Sequence, residues 1–521
     1  MIRTQLVSSS FEDGLMLENI GIGRIKSYLD KYGKYVEVVH LESPKIEECI
    51  KDIDMSCDII GLSMYSNNLD LLFELAKRAK NINPNIIIIC GSKFVTSFYE
   101  DVLERDTSNL IDLIVLGDGE SAMLKIIELC EQNADLKQGL VNEVNIVWKN
   151  NTLDKRPVVL NVASLPWPDR SYLIKNQRVA ALIADAQGCI GNCSFCSVKD
   201  YHKGWDGRTA EDIFCEIKWL HNNTNARFFI FTSGSFDDPG EKGKKKIEEL
   251  CKMILDEELK ISFRCFMRTE SFKDTDQDRT LLMLMKQAGF NEVYLGLESG
   301  NEEDLKIFNK RATLLDNETA LRIFKEADIY VGSFGFIMLN PYSTSKSLRE
   351  NYYFLAKQNE YKVFNYTTQI IAYKNTQLYE RMLKDCLIAS NSSAQQYFGI
   401  HKYKYMDNKV ASIADFLKEN FNQDIIGVYT RNAYLLPTLI HSFYRFWDDG
   451  DKRRDQLNSL INEQATILKS YFYHLYVEQN IEYCKSNISF FISQLNELNK
   501  RFDVLITMCF KRLVKHHKMK L

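Results

Sequence analysis

No run in this sequence approaches the ~20 consecutive apolar residues that a membrane-spanning helix needs. Its longest apolar segments, such as "NIIIIC" at 85–90, have the length of buried strands. The opening "MIRTQLVSSSFEDG" lacks the apolar stretch of a secretory signal, so a cytoplasmic protein is expected. Charge of one sign is not in excess either: 66 Lys and Arg stand against 70 Asp and Glu, for a net charge of -4. That balance offers no electrostatic case for a nucleic-acid or membrane partner. The basic tail "KRLVKHHKMKL" is short and reads as a solvated helix end. Proline is scarce, with eight in 521 residues, and two of them fall in "LPWPDRSYL" (165–173). Proline removes a backbone donor, so this stretch reads as a linker. Thirteen cysteines without an export signal argue against a disulfide framework. Ten are scattered, most of them in apolar surroundings, and read as small buried hydrophobes.

What is present is alternation. "CDIIGLSMY" (57–65), "NIIIICG" (85–91) and "IDLIVLGDGE" (111–120) have buried-strand patterns, and "NLDLLFELAKRAKNI" between the first two is apolar at helical spacing. "GLMLENIGIGRIKSYLDKYG" reads as another helix. Strands alternating with helices predict a doubly wound parallel sheet, whose ligands collect at the carboxyl ends of the strands. Residues 139–160 alternate like a hairpin around "KNNT". From about 180 the alternation resumes. Strand patterns at "VAALIADAQG", "RFFIFTSGSF", "ISFRCFMR", "EVYLGLESG", "YVGSFGFIMLNP" and "YTTQIIAY" are separated by helical ones. Six strands with intervening helices predict a partial β/α barrel, with its active site at the carboxyl strand ends. From about 385 onward the period is helical almost throughout. The expected divisions are 1–140, 141–178, 179–385 and 386–521.

Three cysteines remain, Cys189, Cys193 and Cys196, in "GCIGNCSFCSV" with spacing C-x3-C-x2-C. A disulfide uses two sulfurs, and a structural zinc ion takes four ligands. A [4Fe–4S] cluster with one thiolate per iron would leave its fourth iron open to a small chelating molecule. Gly188 and Gly191 would let the loop turn tightly. Zinc held by the three cysteines with His202, and reduced cysteines without a ligand, are the competing readings. Against zinc, no second ligand pair follows, and a strand leads straight into the loop.

C-x3-C-x2-C after the first strand of a β/α barrel, with the aromatic Phe195 before the third cysteine, resembles the signature of the radical S-adenosylmethionine enzymes. The resemblance continues in "GRTAEDIFCEI", "FTSGSF" and "GLESG". It implies that Cys189, Cys193 and Cys196 hold a [4Fe–4S] cluster. It further implies that Phe195, Ser233, Ser235, Arg268 and Glu298 surround S-adenosylmethionine. Glu298 would meet the ribose, the two serines the amino group and Arg268 the carboxylate. The order of doubly wound domain, linker and barrel resembles the cobalamin-dependent branch of that family. In that reading Ser63, Gly91, Ser92, Gly117 and Gly119 approach cobalamin, small residues allowing close backbone approach. This chain departs from the branch's pattern at "CGS" after the second strand motif. It departs again at "SSSFEDG", which has no histidine to serve as a lower cobalt ligand.

The implied fold is α/β: an N-terminal doubly wound (Rossmann-like) cobalamin-binding domain, a partial (β/α)6 radical barrel and a mostly helical C-terminal domain. The implied chemistry is S-adenosylmethionine cleavage to a radical and methyl transfer to an unactivated carbon of a peptide or secondary metabolite. An external one-electron donor of flavodoxin or ferredoxin type would be needed. Ring closure or rearrangement on the same cofactors is the alternative, and a metal-bound binding protein without turnover is a further one. No residue of the sequence marks itself as the catalytic acid or base.

Overall fold

Short runs, those at the centre apolar on both faces, build the first sheet. Strands β1 (Thr4–Ser9), β2 (Val36–Leu41), β3 (Ile59–Ser63), β4 (Ile87–Gly91), β5 (Leu113–Val115) and β6 (Ile146–Val147) lie in the order β2-β1-β3-β4-β5-β6. All neighbours are parallel except β5 and β6. Adjacent residues point to opposite faces. Val7, Ile60, Leu62, Ile88 and Ile114 join one core with Leu72, Leu75 and Val95 of helices Leu69–Ile82 and Lys93–Arg105. Leu6, Ile59, Ile89 and Leu113 join another with Ile22, Leu29, Met123 and Ile126 of helices Ile20–Asp30 and Glu120–Glu131. Helices on both faces make this the doubly wound sheet that the alternation predicts.

The computed structural model describes residues 2–9, 17–152, 154–202, 204–388, 403–421, 423–443 and 450–517. Residues 10–14 of the histidine-free "SSSFEDG" lie outside them. Two compact units emerge: Met1–Gly188 with Val198–Ala226, and Cys189–Ser197 with Arg227–Ser393 and Ile400–Leu521.

Two expectations for the first unit need correction. Residues 139–160 do not form a full hairpin. After β6 and a single bridge between Trp148 and Asn151, the returning chain runs beside Gly117 instead. The cause is Asp118, whose amide donates to Val158 O (2.8 Å) and whose Oδ2 accepts the Leu160 amide (2.8 Å). The proline segment is also more than a linker. Arg170 within it is buried between Glu18 and Glu216, and Glu216 also meets Arg208 at 2.5 Å. A buried carboxylate shared by two guanidiniums ties 165–173 to helix Ala210–Asn223. Beyond the segment come β7 (Ala180–Ile183) and an antiparallel pair, β8 (Ala186–Gly188) with β9 (Trp205–Gly207).

In the second unit β10 (Phe228–Phe231), β11 (Ser262–Arg268), β12 (Phe290–Glu298) and β13 (Tyr330–Phe336) pair in parallel, in that order. One face carries Phe229, Phe231, Phe263 and Phe290 as a stack of rings. The register puts Arg264, Phe266 and Arg268 beside Glu292, Tyr294 and Gly296, one charged or aromatic residue in every two. The predicted sixth strand at 366–373 does not form. Val363–Thr367 is a short helix, followed by one parallel bridge between Leu339 and Gln369. The hydroxyls of Thr367 and Thr368 donate back to Val363 O and Phe364 O (3.1 and 2.5 Å), so these β-branched residues satisfy a helical turn.

The C-terminal helices Asn408–Asn420, Gln423–Thr438, Gly450–Tyr476 and Ile481–His517 meet the helical expectation. Thr438 closes the amino ends of β11 and β12: it accepts from Arg264 (2.6 Å) and donates to Glu292 (3.1 Å). No helix among the described residues is long and apolar enough to cross a membrane.

Two histidines are held neutral by packing. His40 stacks on Tyr172 (4.3 Å), accepts the Asn19 amide on Nε2 (3.1 Å), and burial pushes its pKa down to about 4. His441 lies flat on Tyr330 (4.3 Å), and burial, with Arg454 and Lys286 nearby, pushes it down to about 3. Each folded-state value lies below the ordinary 6.5. As pH falls from 6.5, the unfolded chain therefore takes up protons that the folded chain refuses, and stability declines. Urea midpoints should fall between about pH 7 and pH 5, and the His40→Asn, His441→Asn double variant should show a smaller decline. An undiminished decline would mean that neither ring is responsible.

Candidate active site

Loop Cys189–Ser197 is pinned at its middle. Ser194 donates its amide to Phe308 O (2.8 Å) and its hydroxyl to Ile307 O (2.8 Å), and it accepts the Leu378 amide (2.8 Å). Asn309 Nδ2 donates to Asn192 O (2.8 Å). Phe195 packs edge-on against Phe308 (5.5 Å) beside an apolar cluster that includes Leu378 and Met382. Gly188 enters the loop at φ +76°, where a Cβ would lie 2.1 Å from Gly204 O, so only glycine fits. Gly191 needs no such φ; its amide donates to Cys189 Sγ (3.3 Å). Such hydrogen bonds to sulfur tune an iron–sulfur cluster.

Burial, and then the Asp238 carboxylate, push the Cys189 thiol up to about 12. Burial pushes Cys193 to about 11 against the pull of Lys310. A coordinating metal reverses this, because it holds a thiol as thiolate. Burial, and then the nearby Cys196, raise the pKa of the Tyr373 hydroxyl, at the end of the segment expected as a sixth strand. A single zinc ion needs ligand atoms about 2.3 Å from one point. Among the described residues no three His, Cys, Asp or Glu side chains form a ready-made site for a metal ion. His202, the ligand the zinc reading requires, has Nε2 2.6 Å from Asp206 and a buried Nδ1 without a hydrogen-bond partner. A cubane separates its thiolates, one per iron, and suits three cysteines on one loop.

Around this loop stand six charged groups: Asp237, Asp238, Arg268, Glu270, Glu298 and Lys310. Arg268 reaches Asp238 (2.7 Å), Asp237 (3.4 Å) and Glu270 (3.6 Å). Asp238 accepts the Ile190 amide (2.9 Å), and Ser235 donates to Asp237 (2.5 Å). Ser233 is buried on the same loop. Glu298 ends β12 at φ +67°, a strained conformation for a residue other than glycine. Its carboxylate lies 3.6 Å from Lys310 Nζ. Gly296 and Gly335 clear its space: a Cβ at either would stand 2.9 or 2.8 Å from a Glu298 oxygen. Burial raises the pKa of both Asp238 and Glu298. Four carboxylates against two cations leave a surplus that calls for a cationic ligand. S-adenosylmethionine, with an ammonium and a sulfonium against one carboxylate, has that chemistry. Buried atoms without hydrogen-bond partners, Arg268 Nε and Glu270 Oε2, lie in the same cluster.

Lys310, Glu270, Asp237 and Asp238 were not singled out by the sequence. Acids directly after "TSGSF" and "FMRT" were the available signal. Arg268, read as a partner for a carboxylate, already serves three acids.

At the carboxyl edge of the first sheet the cobalamin candidates are brought together, with internal partners. Ser63 Oγ accepts from Asn19 Nδ2 (3.0 Å). Ser92 donates to Met64 O (2.5 Å) and accepts the Val95 amide (3.0 Å), capping helix Lys93–Arg105. A Cβ on Gly91 would lie 3.3 Å from Val115 O. Gly117, at φ +83°, would clash with Val158 O at 2.0 Å, and Gly119 would meet Ile25 at 2.9 Å. At Gly117 the chain's own backbone already requires glycine, whereas at Gly119 only the flexible end of Ile25 stands in the way. Ser8 Oγ, near the end of β1, is buried without a partner and offers this edge a free polar atom. Behind the edge, Asp118 gathers Arg24 (3.0 Å) and Tyr201 (2.7 Å).

The family model described as the Radical SAM superfamily matches residues 183–355, and that of the B12 binding domain matches residues 12–127. The chain belongs to the cobalamin-binding radical SAM enzymes. Its cofactors are a [4Fe–4S] cluster, S-adenosylmethionine and cobalamin. This radical SAM enzyme is 26% identical over 405 residues to an uncharacterized methyltransferase of Pyrococcus horikoshii, covering 76% of this chain and 82% of that protein. It is 25% identical over 323 residues to an anaerobic magnesium-protoporphyrin IX monomethyl ester cyclase of Cereibacter sphaeroides, covering 60% of this chain and 51% of that one. It thus spans about half the cyclase's length. The solved structure of the cobalamin-dependent S-adenosylmethionine radical enzyme OxsB, with aqua-cobalamin and S-adenosylmethionine bound, shares its fold. The TM-score is 0.72 at 17% identity, over 98% of this chain and 80% of that chain.

Cys193→Ala should leave anaerobically reconstituted protein without its iron and its visible absorption, since a cubane needs all three thiolates. Gly296→Ala should displace only the flexible ends of Glu298 and Lys310. Iron content should persist while S-adenosylmethionine binding, read by equilibrium dialysis, weakens about tenfold, the scale of one charge-assisted hydrogen bond. Unchanged affinity would remove Glu298 from the site.

Proposed function

We propose that this enzyme transfers a methyl group to an unactivated carbon of a peptide or secondary-metabolite substrate. The single observation carrying this reading is the union, in one chain, of a B12 binding domain over 12–127 with a radical SAM domain over 183–355. The first suits a methyl carrier and the second a source of substrate radicals. The similarity to a protein named as a methyltransferase over 76% of the chain supports the same reading. When bound, the cofactors supply one-electron cleavage of the sulfonium and a methyl group held on cobalt. The protein contributes position and charge. Cys189, Cys193 and Cys196 hold the cluster. Glu298, kept in place by Lys310 and by the space at Gly296 and Gly335, accepts hydrogen bonds from the ribose. Phe195 seats the loop against Phe308. The buried acids give the cationic cofactor a water-poor, negative surround in which ion pairing is strong.

In this proposal residues 1–140 form the cobalamin domain, 141–178 the connecting segment, 179–385 the radical domain and 386–521 the helical domain. Ser63, Gly91, Ser92, Gly117 and Gly119 shape the loops that face cobalamin. A flavodoxin- or ferredoxin-type donor supplies the electron in the cytoplasm. Ring closure on the same cofactors is the second reading, favoured by the cyclase similarity.

The test needs no acceptor. Reduced holoenzyme given S-adenosylmethionine with a deuterated methyl group should pass that label to its cobalamin, detected by mass spectrometry, with S-adenosylhomocysteine formed alongside. Deoxyadenosine release with cobalamin left unlabelled would turn the assignment towards ring closure.

A further inference from the structure

Alternation along β11 divides its side chains between two faces. Phe263, Cys265 and Met267 are buried on one, and Arg264, Phe266 and Arg268 stand on the other. Arg268 belongs to the charged group around the cysteine loop, so Phe266 points into the same interior one layer deeper. The register sets Phe266 beside Tyr294, below Arg268 with Gly296 and above Arg264 with Glu292. The two rings meet edge to face at 5.2 Å. The inside of a β/α barrel is ordinarily filled by bulky side chains. Here Phe266 stays 43% exposed. In the layer above, Gly335 pairs with Gly296, is itself exposed, and has no side chain to cover the ring. The layer beneath is closed. Arg264 packs against the rings of Phe228 and Tyr294 (5.2 and 5.0 Å) and is held by Glu292 (3.0 Å) and Thr438 (2.6 Å). A strand rises about 3.3 Å per residue, so roughly 13 Å separate Arg264 from Arg268, a height that holds one ring between floor and charged layer.

We propose that this opening seats an uncharged aromatic ring of the substrate, against Phe266 and Tyr294 and beneath Glu298, a placement that rests on the methyl-transfer reading. Charge does not suit it. Neither β11 nor β12 carries a charged side chain at this height, and Arg264 below is already matched by Glu292. A charged group would lose its water there without gaining a partner. A ring gains what an aliphatic chain does not, because an edge-to-face pair presents both a ring face and a ring edge to a third ring. Between the pair and the Glu298 carboxylate these strands place only Gly296 and Gly335 on the inner face. The substrate carbon next to the seated ring is therefore not screened from the end of the site that the proposed function gives to the ribose. The ring is the anchor, and the carbon beside it is the acceptor.

The experiment uses anaerobically reconstituted full-length holoenzyme with cobalamin and S-adenosylmethionine bound, its cluster left oxidised so that nothing turns over. The probes are benzyl alcohol and its saturated counterpart, cyclohexylmethanol, with affinities read by ligand-observed NMR. Both are neutral and share one skeleton; only the first is aromatic. Benzyl alcohol should bind the wild-type protein. Phe266→Leu keeps an apolar side chain and removes the ring. It should weaken benzyl alcohol by about threefold to tenfold, the scale of one aromatic pair, and leave cyclohexylmethanol unchanged. Phe266→Trp should fill the opening and abolish binding of both probes, while iron content and S-adenosylmethionine affinity are kept. No binding of benzyl alcohol by the wild type, an equal loss of both probes in Phe266→Leu, or binding that survives Phe266→Trp each overturns the proposal. Should Phe266→Trp lose its iron, Phe266→Leu decides alone. The methyl-transfer reading fails by a different sign, cobalamin left unlabelled by the deuterated methyl group, whatever the two alcohols do.

Discussion

Surplus negative charge in a place shut off from water is the constraint around which the second unit is arranged. Carboxylates buried beyond the reach of their cations destabilise a fold unless a ligand completes them. Here four acids at the ends of β10, β11 and β12 share Arg268 and Lys310. Two glycines hold space open for one of those acids, and the same acid is kept in a left-handed conformation. These features raise the energy of the empty protein and lower that of the protein with a cationic cofactor in place. Strain and unmet polar atoms concentrate where function requires them.

The cysteine loop follows the opposite rule at its middle, where Ser194 is satisfied on its amide, its carbonyl and its hydroxyl. Ser194 alone makes three hydrogen bonds to two separate segments, and Phe195 is wedged against Phe308. A cluster carried by a short loop needs a rigid seat, because the spacing of three thiolates must match three irons before any metal stabilises the arrangement. The seat is built from the Ile307–Asn309 turn and from the helix that starts at Gln377. Both are far from the cysteines in sequence.

In the first unit, glycines at strand ends illustrate how one residue type can serve two masters. In the function proposed above, Gly117 and Gly119 lie where a flat cofactor would need close approach. Val158 already forbids a side chain at Gly117, whereas at Gly119 only the flexible end of Ile25 is close. The departure of residues 154–160 from hairpin geometry has the same origin: Asp118 captures the Leu160 amide and draws the returning chain against Gly117.

The alternation of short apolar runs with amphipathic helices was sufficient to read the doubly wound sheet, because burying both strand faces demands apolar residues without interruption, as in "DIIGLS" and "IIIIC". The three cysteines were legible for a comparable reason: their spacing is local, and few metal groups suit three thiolates. The predicted strand at 366–373 failed because side-chain hydroxyls of Thr367 and Thr368 can satisfy carbonyls four residues back, a competition that a β-propensity pattern does not register. Glu270, Lys310 and the aspartate pair were invisible for another reason. A lone acid after a strand looks the same whether it is solvated or buried. By itself, then, the chain's order of residues marked most of the elements and the loop whose three cysteines suit a metal cluster. Only the tertiary structure decided which charges meet there, because burial and partner distance are set by segments dozens of residues apart.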